Sequence, residues 1–177
     1  MGWKQKDVDL FQDILILMRD GGFRNEKELF PLRIEDLDWD RIMMQVNDSK
    51  TPTGEREVPM SDRAVAALKR RAGGRREGWL FPSKRSESGH LTTFAKRFRD
   101  ARRKARLPEA LKLYRGRHNY GTRLLKKTGD LKLVMKTMGQ KDVKSALKYQ
   151  HPDISDAARA INELNETGDL AKKRATL

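Results

Sequence analysis

Met138-Gly139-Gln140-Lys141-Asp142-Val143-Lys144-Ser145-Ala146-Leu147-Lys148-Tyr149 is the stretch on which the reading of this chain turns. It joins two predicted helices, over 131–138 and 142–149, and sets Tyr149 nine positions after Gln140. Upstream, Tyr114-Arg115-Gly116-Arg117-His118 leads into another predicted helix, over about 117–127. Tyr114 and Arg117 are three apart, so on a helical turn they share a face. His118 points roughly 100° away from Arg117 and is read as structural or supporting. An arbitrary tyrosine is more often packing than chemistry, so the setting of Tyr149 has to decide.

Working outward, Val8, Phe11, Ile14, Leu15 and Met18 recur at helical spacing, and Asp20-Gly21-Gly22 ends that helix. A second helix is expected over 24–30. Residues 41–46 and 55–58 read as strands joined by Lys50-Thr51-Pro52-Thr53-Gly54, a β-hairpin signature. Ser61 is placed to cap a helix running through Ala64, Val65 and Leu68 to Lys69-Arg70-Arg71. Glycines 73, 74 and 78 mark a loop before Trp79-Leu80-Phe81-Pro82. Phe94, Phe98, Ala101 and Ala105 then form an apolar helical stripe. Its other face is almost single-signed, and Lys96, Arg97, Arg102 and Arg103 are its candidate phosphate contacts. Ala158, Ile161 and Leu164 give 155–164 an apolar face, and a basic tail, 166–177, is expected to be frayed. Tyr120, Trp3, Trp39 and Trp79 read as packing. The fold class is mainly α with one small antiparallel β-sheet (α+β), a single domain over 1–165.

The 177 residues carry 39 Lys and Arg against 25 acids, a net charge of +14. That imbalance favours a polyanionic partner, because phosphates are bound by Arg and Lys with release of counterions. No apolar run approaches the length of a membrane span, and no signal-peptide pattern opens the chain. With no cysteine and three histidines that lack ligand spacing, neither a thiolate nor a metal site is expected. A phosphate-cradling GxxxxGK[S/T] loop is missing, so nucleotide hydrolysis has no support. Chemistry is left to Arg, Lys, Tyr, His and carboxylates.

Five segments, in order, resemble the catalytic domain of the tyrosine recombinases, the phage-integrase family. Gly22-Phe23-Arg24 with Glu28-Leu29 and Leu32-Arg33-Ile34-Glu35-Asp36-Leu37-Asp38 is similar to the first arginine box, with one residue more than usual between arginine and leucine. Asp48-Ser49-Lys50-Thr51 and Gly54 to Ser61 resemble the hairpin that carries the family's lysine, and Trp79-Leu80-Phe81-Pro82 the connector. Arg117-His118 with Thr122-Arg123-Leu124-Leu125 resembles the second arginine box, and Gly139 to Tyr149 the nucleophile segment. Together they run from about residue 7 to 165.

The resemblance implies a metal-free and ATP-free enzyme that cuts and rejoins double-stranded DNA. Arg24 and Arg117 would hold the charge that gathers on the non-bridging oxygens, for which a permanently charged fork of donors is suited. Tyr149 would attack phosphorus, forming a 3′-phosphotyrosyl link and freeing a 5′-hydroxyl, and Lys50 would protonate the departing oxygen. The family commonly has histidine three before the second arginine and histidine or tryptophan nine before the nucleophile; here Tyr114 and Gln140 stand there. Both can donate to a phosphate oxygen, but neither replaces an imidazole as a proton shuttle near neutrality. A second reading is therefore a catalytically impaired DNA-binding relative. A type IB topoisomerase would share the chemistry, but the order of boxes favours a recombinase. By the same resemblance no cofactor is needed, an N-terminal DNA-clamping domain is not represented, and 155–164 packs either on a neighbouring protomer on DNA or on its own domain. A cytoplasmic, nucleoid-associated location in a bacterium or phage-infected host follows from it too.

Overall fold

The computed structural model describes residues 4–47, 55–150 and 155. Lys50, the hairpin tip and almost all of the 155–164 segment lie outside the described residues. The chain is mainly α-helical with one three-stranded antiparallel sheet. Helix α1 (Gln5–Gly21) buries Ile14, Leu17 and Met18 on one face and stops at Gly22, whose φ of 63° is a left-handed cap. A Cβ on Gly22 would meet the Tyr120 ring at 2.4 Å, so the turn needs glycine for both conformation and space.

The segment after it is one π-helical turn, Asn25–Leu29, and not the longer helix expected. Its wider winding shows in bonds from the Leu29 N–H to the Arg24 carbonyl at 3.2 Å and from Phe30 to Asn25 at 2.9 Å. A 3₁₀ turn, Ile34–Asp36, leads to β1 (Leu37–Asp38), a strand too short to be legible by alternation. β1 pairs with β2 (Met43–Val46) at Leu37–Met44, and β2 with β3 (Arg56–Pro59) at Met44–Val58 and Val46–Arg56. The hairpin is confirmed, but Arg41 lies before the strand and Ile42 turns with a φ of 56°.

Ser61 caps α2 (Asp62–Ala72) through the Ala64 N–H at 3.2 Å, as expected. α2 packs on α1, and there Asp13, fully buried on α1, is bridged by Arg70 at 2.5 Å and Arg71 at 2.8 Å. Helix α3 (Ala95–Lys104) begins just after buried Phe94. Phe11 of α1 packs on Phe94 and Phe98, with ring centroids 5.4 and 6.1 Å away.

Arg102 corrects the expectation for α3. It is 7 % exposed and donates to the carbonyls of Glu109 and Leu111. Position 102 is four after Phe98 and three before Ala105, so it falls on the apolar stripe, where its long stem turns inward. Lys96, Arg97 and Arg103 are exposed as expected, although Arg97 also faces Asp7 at 3.7 Å.

Helices α4 (Arg115–Thr128), α5 (Leu131–Met138) and α6 (Val143–Leu147) complete the described fold. Asp130 caps α5 through Leu133, Gly139 closes it with a φ of 61°, and Asp142 caps α6 through Lys144 and Ser145. A large apolar core joins α1, the π turn, the sheet and α2. A smaller one gathers Tyr120, Val134, Met138, Ala146 and Tyr149. Among the described residues, no helix is long and apolar enough to cross a membrane.

Candidate active site

Three arginines from distant parts of the chain meet at one buried carboxylate, Glu28 of the π turn. Arg24, just before that turn, reaches Glu28 Oε1 from Nη1 at 2.6 Å, while its backbone N–H donates to Oε2 at 2.7 Å. Arg56, at the start of β3, pairs end-on with both oxygens, at 3.2 Å from Nη1 and 2.9 Å from Nη2. Arg117, in the first turn of α4, approaches Oε2 at 3.4 Å. Burial pushes the Glu28 carboxyl up, but the hydrogen bonds and charge of Arg56, with Arg24 and Arg117, outweigh it and hold it below its ordinary value.

Backbone carbonyls at helix ends fix the same guanidiniums. Arg117 donates to Gly22, beyond α1, at 2.6 Å and to Met138, the last residue of α5, at 2.6 Å. Arg24 reaches Gly139 at 3.4 Å, and Arg56 donates from Nε to Thr137 at 2.8 Å. Helix C-termini carry unsatisfied carbonyls and partial negative charge, so cations settle there. Arg117 is 1 % exposed. Burial pulls its guanidinium down from the ordinary value, Glu28 pushes it up and Arg24 opposes; it remains a cation, since arginine does not deprotonate in proteins.

Arg24, Arg56, Arg117, Tyr114 and Gln140 all line one open cleft of about 1180 Å³, to which Lys136, Lys141 and Lys148 add positive charge. Of the sequence-predicted site residues, the structure thus brings Arg24, Tyr114, Arg117 and Gln140 to one wall. Tyr114 is 46 % exposed. Lys50 lies outside the described residues, and the exposed cations of α3 are not part of this cleft.

Tyr149 sits behind Gln140 and does not line the cleft. It is 2 % exposed, and its hydroxyl accepts a bond from Gln140 Nε2 at 3.1 Å. The His118 ring packs on it, with centroids 5.3 Å apart. Gly121 leaves room for the phenol ring: a Cβ there would meet it at 2.9 Å.

Glu28 and Arg56 had no role in the sequence reading. A signal for Arg56 existed, because strand alternation puts it in phase with Val58 on the inward face. Glu28 stood next to Leu29 and Phe30, both wholly buried. Among the described residues, no group of three His, Asp or Glu side chains is placed to hold a metal.

The family model described as the phage integrase family matches residues 10–155. Tyrosine recombinase XerD of Pseudomonas putida is 35 % identical over 105 residues, 55 % of this chain and 35 % of that protein. Tyrosine recombinase XerC of Erythrobacter litoralis is 32 % identical over 125 residues, 69 % of this chain and 41 % of that one. The chain therefore spans less than half the length of these curated relatives. The Tn1549 transposon integrase in complex with transposon right end DNA shares the fold, with a TM-score of 0.75 at 19 % identity over 91 % of this chain and 60 % of its own. The XerA recombinase gives 0.71 at 22 % identity, over 89 % and 59 %.

Proposed function

Since the chain belongs to the phage integrase family, we propose that it cuts and rejoins double-stranded DNA through a covalent phosphotyrosyl intermediate, as a site-specific recombinase. The observation that carries this reading is the pair Arg24 and Arg117, 93 positions apart in sequence yet sharing one carboxylate at one cleft wall. Two fixed cations suit the charge that develops when phosphorus becomes five-coordinate. Tyr114 and Gln140, on the same wall, supply neutral donors.

Tyr149 is the nucleophile. Its phenol loses a proton to solvent water as its oxygen bonds to phosphorus, and the bond from phosphorus to the 5′-oxygen breaks. That oxygen takes a proton, for which Lys50 is the candidate donor. The ester keeps the energy of the broken bond, so a 5′-hydroxyl of another strand can reverse the step. Because the phenol lies behind Gln140, attack requires the α6 segment to carry Tyr149 into the cleft.

The test uses a nicked DNA duplex from which the short 5′ fragment is lost after cleavage. The protein is expected to accumulate a covalent adduct with the 3′-phosphate, and Tyr149→Phe to lose it entirely. The second reading, a DNA-binding relative without turnover, is favoured by the covered position of Tyr149. It would be supported by salt-sensitive binding without any adduct.

A further inference from the structure

The reaction above employs Arg24 and Arg117, yet the cleft holds a third guanidinium. Arg56 is 8 % exposed and spends all three nitrogens inside the protein, Nε on the Thr137 carbonyl and both Nη on Glu28. Its grip on Glu28 is bidentate through both Nη atoms, two parallel bonds that match the two carboxylate oxygens. The guanidiniums of Arg24 and Arg117 each touch that carboxylate with one nitrogen, at 2.6 and 3.4 Å.

The charge balance shows what Arg56 does there. Glu28 orients Arg24 and Arg117, but a buried carboxylate also competes with any phosphate for them. With two cations on one carboxylate, half of the positive charge is consumed. The third cation compensates the carboxylate, so three guanidiniums less one carboxylate leave two net positive charges at the cleft. Arg56 is also the strongest of the influences that keep Glu28 ionised, ahead of Arg24 and Arg117.

We propose that Arg56 is a positioning residue of the phosphate site, occupying the Glu28 carboxylate through both Nη atoms so that Arg24 and Arg117 stay available to the scissile phosphate. This rests on the reading of the cleft as a phosphodiester site. A structural staple between β3 and the end of α5 would make the same contacts, and charge rebalancing separates the two roles. Arg56→Met leaves Glu28 to capture Arg24 and Arg117; adding Glu28→Gln removes the competing charge and restores the original net charge of the cluster.

With the full chain on the nicked duplex at saturating DNA, Arg56→Met is expected to slow adduct formation by about tenfold or more. The double variant Arg56→Met/Glu28→Gln is expected to recover most of that loss. A double variant that is folded by circular dichroism yet no faster than Arg56→Met overturns the proposal. Should Arg56→Met fail to fold, the neutral but polar Arg56→Gln, with and without Glu28→Gln, carries the same comparison.

If the parent protein forms no adduct, the functional reading fails, and the role of Arg56 is then read from inorganic phosphate. Titration is followed by the Nε–H resonances of Arg24 and Arg117. Weaker binding in Arg56→Met, restored in the double variant, upholds the assignment; unchanged binding overturns it.

Discussion

Gln140 touches both halves of the site, lining the cleft while its amide donates to the Tyr149 phenol at 3.1 Å. An imidazole at this position would keep a donor and add a group that titrates near neutrality. Tyr114, exposed at the same wall, offers a second such position. Tyr114→His combined with Gln140→His is therefore expected to raise the rate of adduct formation by about tenfold or more at neutral pH. Rapid-quench sampling of the nicked duplex would read it, and an unchanged or slower rate would rule out missing acid–base assistance. At this scale the side chains that face the cleft were legible, because Arg24, Tyr114, Arg117 and Gln140 each occupy a fixed place in a motif. Glu28 and Arg56 were not, since a buried charge and a solvated one are written with the same letter. For Arg56 its phase with Val58 on β3 was the one local sign, and its partners come from other elements.

Elements were most legible where a cap states its own chemistry. Ser61 accepts from the first turn of the helix it opens and Gly22 closes α1 in the left-handed region, both as read; Asp130, Asp142 and Gly139 do the same for α5 and α6 without having been read as caps. Spacing from Phe98 and Ala105 puts Arg102 on the apolar stripe, but its charge argues for the outer face, and in the fold spacing wins. The end of α1 has a further duty, because the Gly22 carbonyl receives Arg117 while its Cα faces the Tyr120 ring. Gly22→Ala is expected to destabilise the fold by about 1–3 kcal/mol, from left-handed strain plus the clash. Urea unfolding measures the loss, which should exceed that of Gly74→Ala, where a Cβ meets nothing within 4 Å. Equal losses would show that the backbone term acts alone.

Over the whole molecule, the cleft lies where the large core, which includes Val58, meets the small core containing Tyr149. Moving the phenol from the small core to the phosphate uncovers an aromatic ring, at a cost of up to about 3 kcal/mol that DNA contacts must offset. The first arginine box resembles the family's with one residue more than usual between arginine and leucine, and the wide winding of Asn25–Leu29 keeps Arg24 and Glu28 paired across it. The turn holds that residue as pitch, so it should give it up again. Deleting Lys27, which is exposed, should return the turn to ordinary α winding, with a melting temperature within roughly 5 °C of the parent. A variant that fails to fold would show that the fold depends on the wider turn.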